Sequence, residues 1–197
     1  VAHAEKLGEA LRGTANTEAA VQLAITIAYA NSGLAIEERR VVEALGKSRR
    51  AADLFAGLGT FAFAMARRAS VLAVDSCRDL IEAMTKAHRA ATGLKPIEGK
   101  VRDLLLDPLS PRELSSFDAV VFDPPRSGAK AQADALARSD VPVVVAISCN
   151  PQSLARDLRI LMDGGYALKS IAPVDQFLFT PHLEAVAVLT KPKRRRQ

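Results

Sequence analysis

From residue 51 onward the apolar positions switch repeatedly between a strand-like and a helix-like period. Residues 51–55 predict a short strand, Gly57-Leu58-Gly59 a tight turn, and 61–68 a helix. The alternation then repeats. Residues 71–74 predict a strand ending at Asp75, 80–92 a helix closed by Gly93, and 97–101 a strand ending near Asp103. Residues 117–122 predict a strand ending at Asp123, 130–138 a helix, 141–147 a strand, and 152–162 a helix stopped by Gly164-Gly165. Residues 166–174 and 185–189 predict a closing antiparallel pair. Strands alternating with helices at this spacing predict an α/β fold with a doubly wound, mostly parallel sheet.

Residues 1–50 are less regular. Residues 3–12 predict a short helix stopped by Gly13. Residues 21–29 (VQLAITIAY) alternate, Asn31-Ser32-Gly33 reads as a turn, and 34–36 are expected to pair back as a hairpin. Lys47-Ser48-Arg49-Arg50 reads as a linker. The expected organisation is an appendage over 1–50, one Rossmann-like domain over 51–190, and a basic tail over 191–197.

In such sheets ligands sit at the carboxyl ends of the strands, near the point where strand order reverses. Asp53 with its glycine turn, Asp75, Asp103, Asp123 and Cys149 are all expected there. The turn contains G-x-G-x-x-A over Gly57, Gly59 and Ala62, and Asp75 stands eighteen residues after Gly57, where a ribose-binding acid belongs. S-adenosylmethionine and nicotinamide dinucleotides both use that arrangement. Asp53 before the turn is more typical of methyltransferases, and a nicotinamide oxidoreductase would leave the later motifs unexplained. Asp103 is placed for adenine contact, with a solvated loop position as the alternative.

Composition adds limits. The chain has 197 residues, 49% hydrophobic and 25% charged, enough for an ordinary globular core. The net charge of +5 is modest and partly resides in the terminal run from Lys191, which reads as a solvated tail or a phosphate contact. No apolar run approaches the roughly 20 residues of a membrane span, and no leader pattern opens the sequence. Two cysteines, Cys77 and Cys149, without a CxxC, argue against a cysteine-built metal site or a disulfide scaffold and place the protein in a reducing cytoplasm.

Two further stretches supply chemistry. In Phe122-Asp123-Pro124-Pro125-Arg126-Ser127-Gly128 the prolines hold the backbone extended. Nucleic-acid methyltransferases place an acid-Pro-Pro loop where a base enters. Arg126 stands where base-amino methylases carry an aromatic, which disfavours amino methylation. In Ser148-Cys149-Asn150-Pro151, Asn150 is a plausible helix cap and Pro151 suits a first helical turn. The sulfur thus lies near a helix N-terminus, where the dipole favours thiolate; a buried inert cysteine is the alternative. A thiolate beside a methyl donor suits C5 of uracil: attack at C6 makes C5 nucleophilic, and a base must later remove the C5 proton. The segment from Asp175 to Glu184 is the candidate source of that base. His182 there would shape the site or meet phosphate, because no partner ligands are spaced for a metal.

Together, DLFAGLGTF, the Asp75 position, FDPPRSG, SCNPQSLARDL and DQFLFTPHLE resemble the RNA (uracil-C5)-methyltransferase family over about residues 51–190. The resemblance implies a class I S-adenosylmethionine-dependent fold acting on uridine in RNA, 23S rRNA favoured over tRNA, with Cys149 as nucleophile and Glu184 as proton-abstracting base. It implies cofactor contacts at Phe55, Thr60, Asp75, Asp103 and Asp123, beside Asp53, Gly57 and Gly59. Pro124, Pro125, Arg126, Asn150 and His182 are expected on the RNA side, in a monomer without metal or membrane partner. Family members are usually about twice as long, with an N-terminal RNA-binding barrel and a glutamine-bearing motif not recognisable in residues 1–50. The chain therefore reads as a fragment or as a short member that relies on a partner for RNA grip. An inactive RNA- or cofactor-binding module is the alternative of a different class.

Overall fold

The computed structural model describes residues 32–174 and 184–192. Its sheet is built from β1 (Arg50–Leu54), β2 (Ser70–Asp75), β3 (Ile97–Val101), β4 (Ala119–Phe122), β5 (Val143–Ser148), β6 (Ala167–Val174) and β7 (Glu184–Thr190). The spatial order is β3-β2-β1-β4-β5-β7-β6. The five strands from β3 to β5 run parallel, whereas β7 is antiparallel to β5 and to β6. The chain moves outward from β1 to β3 and then crosses back to β4, so strand order reverses between β1 and β4.

Helices cover both faces: α1 (Ser32–Leu45), α2 (Thr60–Ala66) and α3 (Arg78–Ala90) on one, and α4 (Pro111–Leu114), α5 (Lys130–Ala137) and α6 (Pro151–Asp163) on the other. This explains the unbroken apolar runs, because a strand covered on both faces has no solvent side. Val120, Phe122, Val144 and Ala146 pack with Leu114, Leu136 and Leu161. The intervening Val121 and Val145 pack oppositely with Val41, Leu45, Met65 and Met84. None of the described helices is long and apolar enough to cross a membrane.

Most of the expected elements are present within two or three residues of their expected ends. One is corrected. Residues 34–36 do not return as a strand of a hairpin; they lie inside α1. Their β-like local pattern gives way to the helical spacing of Val41 and Leu45, both buried on the sheet. The partner segment 21–29 lies outside the described residues. The short helix α4 was not expected. Ser110 and Glu113 close a capping box around it, with Pro111 in its first turn. Lys191, expected in the tail, is pinned: its Nζ donates to the carbonyls of Ala137 and Ser139 at 2.9 and 3.1 Å.

Candidate active site at the carboxyl ends of the strands

The turn after β1 is built on three left-handed residues. Phe55 has φ 63°, Gly57 54° and Gly59 87°. A bulky side chain in this region is strained by about 1 kcal/mol or more, a feature that clusters at ligand sites. The two glycines answer different needs. A Cβ at Gly59 would come within 2.7 Å of the Met84 side chain, whereas one at Gly57 would enter open space. The Gly57 N–H donates to Asp75 Oδ2 at 2.9 Å, and the Cys77 N–H to Oδ1 at 2.8 Å. Asp75 thus ties the glycine turn to the end of β2, and each oxygen retains a lone pair for a hydroxyl.

Two cavities meet above this turn. One, of about 280 Å³, is bounded by Phe55, Asp75, Asp103, Leu104, Asp123 and Pro125. The other, of about 320 Å³, is bounded by Glu37, Phe55, Gly57, Thr60, Asp123 and Glu184. Phe55 and Asp123 belong to both, so the cleft runs across the switch point between β1 and β4. The ionisable side chains bounding the second cavity, Glu37, Asp123 and Glu184, are all acids. Hydroxyl acceptors in one half and carboxylates in the other fit S-adenosylmethionine, which presents ribose hydroxyls at one end and two cationic centres at the other. Asp75 and Asp103 would face the nucleoside, and Gly57, Thr60 and the acids would face the amino-acid end. Asp103 also has a local duty, since its Oδ1 accepts the N–H groups of Leu105 and Leu106 at 2.9 and 3.3 Å.

Burial shifts the acids of the cleft. Asp53 is completely buried beneath the turn, and neither oxygen has a hydrogen bond of good geometry. Desolvation pushes its carboxyl up to about 8; the Ala62 amide opposes this, and the charges of Asp123 and Asp75 add to it. Asp123 keeps part of its surface open to the cleft but is surrounded by protein. Desolvation, then the Glu184 charge, pushes it up to about 7. Desolvation also raises Glu184, whose Oε2 is buried without a hydrogen bond.

Cys149 stands on the far side of Asp123 from the nucleoside cavity, half-buried at the end of β5. The Asn150 Oδ1 accepts the Gln152 N–H at 3.0 Å and caps α6, with Pro151 in the first turn. Ser148 Oγ accepts the Asn150 N–H at 3.1 Å, so the cysteine sits in a closed turn. The antiparallel register pairs Ser148 with Ala185. The pairing ends there, so Cys149 directly follows its strand and Glu184 directly precedes Ala185 on the adjacent one. Asn150 Nδ2 also donates to the Arg126 carbonyl at 2.8 Å, joining this turn to the proline loop. In that loop Pro124 is buried, while Pro125 and the Arg126 side chain are exposed. His182 lies outside the described residues.

Glu37 is the acid bordering the cleft that the sequence did not suggest. Residues 31–36 read as turn and strand, so the helical phase that brings residue 37 to the cavity was not visible. Among the described residues, no group of three or more His, Cys, Asp or Glu side chains is arranged to hold a metal.

Residues 105–192 match the family model described as tRNA (Uracil-5-)-methyltransferase. An RNA methyltransferase of Mesorhizobium japonicum, itself uncharacterised, is 54% identical over 152 residues, 77% of this chain and 37% of that protein. The 23S rRNA (uracil(1939)-C(5))-methyltransferase of Chromohalobacter salexigens is 38% identical over 143 residues, 72% of this chain and 29% of that protein. The chain thus spans little more than a third of the length of the curated relatives it matches. Among solved structures, the Pyrococcus abyssi tRNA (uracil-54, C5)-methyltransferase in complex with S-adenosyl-L-homocysteine has a TM-score of 0.66 at 33% identity, covering 80% of this chain and 38% of that one. A TehB-like SAM-dependent methyltransferase of Corynebacterium glutamicum, with a TM-score of 0.61 at 20% identity over 89% of this chain and 97% of that one, shares the fold.

Proposed function

Because the chain carries the methyltransferase domain of the RNA (uracil-C5)-methyltransferase family, we propose that it serves methylation of C5 of a uridine in RNA through a covalent bond from Cys149. The observation that supports this best is the β5–β7 register, which brings Cys149 and Glu184 to adjacent strand ends beside Asp123. When bound, S-adenosylmethionine supplies an electrophilic methyl group.

The residues divide the work. The Cys149 thiolate adds to C6 of the uracil, and the C5–C6 electron pair becomes available at C5. Once C5 bears the methyl group, Glu184 removes the C5 proton, the C5–C6 double bond re-forms, and the sulfur leaves C6 with its electron pair. A carboxylate raised by desolvation is the stronger base for that step. Asp75 and Asp103 hold the nucleoside of the cofactor, with Gly57, Thr60 and Asp123 at its other end and Asp53 supporting the turn from below. The exposed Pro125 and Arg126 offer the base a rigid edge and a cation for phosphate. The reading favours 23S rRNA over tRNA and a cytoplasmic monomer; Cys77 and Cys149 are both free thiols, which suits a reducing compartment.

An rRNA fragment containing 5-fluorouridine tests this. Fluorine cannot leave C5 as a proton, so reaction should stall as a covalent protein–RNA product that carries the methyl label. The expected result is that product with the parent protein and none with Cys149→Ala. Absence of product from a protein that binds S-adenosylmethionine by calorimetry would instead favour a binding module without turnover.

A further inference from the structure

Asp157, on the second turn of α6, is almost fully buried yet faces neither cavity. Both its oxygens are engaged. Oδ1 accepts from Arg156 Nε and Nη2 at 2.9 and 2.8 Å, and Oδ2 accepts the Ala129 N–H at 2.7 Å. Arg156 Nη2 also donates to the Ser127 carbonyl at 2.9 Å, and the Asn150 cap donates to the Arg126 carbonyl at 2.8 Å. The backbone at residues 126, 127 and 129 is therefore bonded to α6 or its cap. Gly128 lies within this clasp at φ 78°, where a Cβ would approach Asp157 Oδ2 to 2.7 Å and Ser153 Cβ to 2.9 Å.

The loop so fastened presents Asp123 and Pro125 to the cleft. The helix that fastens it begins beside the thiol. A buried carboxylate is costly unless its hydrogen-bonding capacity is met. Here Oδ2 bonds the loop directly across 28 positions, and Oδ1 holds Arg156, which bonds the loop at Ser127 in turn. We infer that Asp157 is a positioning residue, which clamps the 123–129 loop to the Cys149 helix and so sets the gap between the cofactor cleft and the nucleophile. The inference rests on the proposed role of Cys149, because that gap matters only if the sulfur reacts. A displacement of about 1 Å between reacting groups lowers rates on the order of 100-fold.

The test compares Asp157→Ala, Asp157→Asn and Asp163→Ala in a Cys77→Ser background. Asp163 is an exposed acid on the same helix, paired with Arg159. Two rates are measured well below each variant's melting temperature: methyl transfer to RNA, and alkylation of Cys149 by iodoacetamide, which needs no RNA. Asp157→Ala should lower kcat at least tenfold, leave the KM for S-adenosylmethionine within about twofold, and change the alkylation rate at least threefold. Asp157→Asn, whose amide oxygen can still accept the Ala129 N–H, should recover most of both rates, and Asp163→Ala should change neither. If Asp157→Ala does not fold, Arg156→Gln severs the Ser127 link and should change both rates in the same direction. A folded Asp157→Ala with parental kcat and alkylation rate, or with a raised KM alone, overturns the inference. If the parent transfers no methyl group, the alkylation rates alone decide the positioning role, and the proposed function fails separately.

Discussion

The glycine-turn half of the site and the Cys149 half beside the cleft are held together by different means. Around Asp53 and Asp75 the restraints are backbone-centred: left-handed residues, a tight turn, and amides two and eighteen residues away bonded to one carboxylate. Around Cys149 they are long-range and made by side chains, with Asn150, Arg156 and Asp157 reaching 24 to 29 residues back. The polar balance differs as well. The acid beneath the turn, Asp53, is left without a hydrogen bond of good geometry, whereas the acid on the helix after the cysteine, Asp157, has both oxygens engaged. A site that admits a cationic ligand gains from acids with unfilled capacity. A site that must aim a sulfur gains from rigidity.

The largest break in the comparison should come from Cys149→Ala. Methyl transfer should fall by about 10⁴-fold or more, while affinity for S-adenosylmethionine stays within about twofold, because the change spares the glycine-turn half. Parallel losses in both would show that the halves are not separable. Glu184→Gln comes next, with turnover down by about 10²–10⁴-fold. Its signature is qualitative: with ordinary uridine RNA, a methylated covalent product should accumulate and be visible on denaturing gels. A slow variant with no such product would assign the base elsewhere.

The contrast also explains what the sequence disclosed. Strands β4 and β5 were legible because burial on both faces leaves a nearly uninterrupted apolar run. Gly57 and Gly59 marked their turn because left-handed backbone selects glycine, and Asn150-Pro151 marked a helix start because capping is local. Asp157 gave no comparable signal. Its partner Ala129 has no distinctive side chain, and only the fold brings the two together. Glu37 was hidden by the β-like 34–36 stretch, whose neighbours Val41 and Leu45 make it helical through burial on the sheet. Glu184 was identified by motif, but that its strand end adjoins the one leading to Cys149 required the β5–β7 register.

Within the glycine-turn half, Gly57→Ala and Gly59→Ala should separate ligand binding from folding. Gly59→Ala combines a strained φ with collision against Met84 and should destabilise by about 2–4 kcal/mol. Gly57→Ala meets only the strain, about 1 kcal/mol, but its methyl enters the cleft. It should therefore weaken S-adenosylmethionine binding more than it lowers the melting temperature. Thermal melts with and without ligand distinguish them. Equal melting shifts for the two would contradict the open space at Gly57.

The most gradual effect is a slope. Asp53 is raised from 3.8 to about 8 in the folded protein, so below about pH 4 both folded and unfolded chains hold its proton and pH has no leverage. Between about pH 4 and 8 the unfolded chain releases the proton and the folded one keeps it. Stability then falls as pH rises, by at most ~1.4 kcal/mol per pH unit for this acid, and levels off above about 8. Asp123, raised to about 7, adds a loss in the same direction over a narrower window. Glu113, held down to about 2 chiefly by the Ser110 amide, acts oppositely but only below about pH 4.5, outside the interval. Urea midpoints at pH 5 and pH 8 should thus show the parent losing more stability than Asp53→Asn, whose neutral side chain has no proton to keep. Parallel losses would mean that Asp53 is ionised when folded. A cationic ligand should reverse the sign: it favours the charged carboxylates of Asp123 and Asp53, so binding should strengthen through pH 7–8 and release protons. Calorimetry in buffers of different ionisation enthalpy measures that release, and Asp53→Asn should diminish it without abolishing binding.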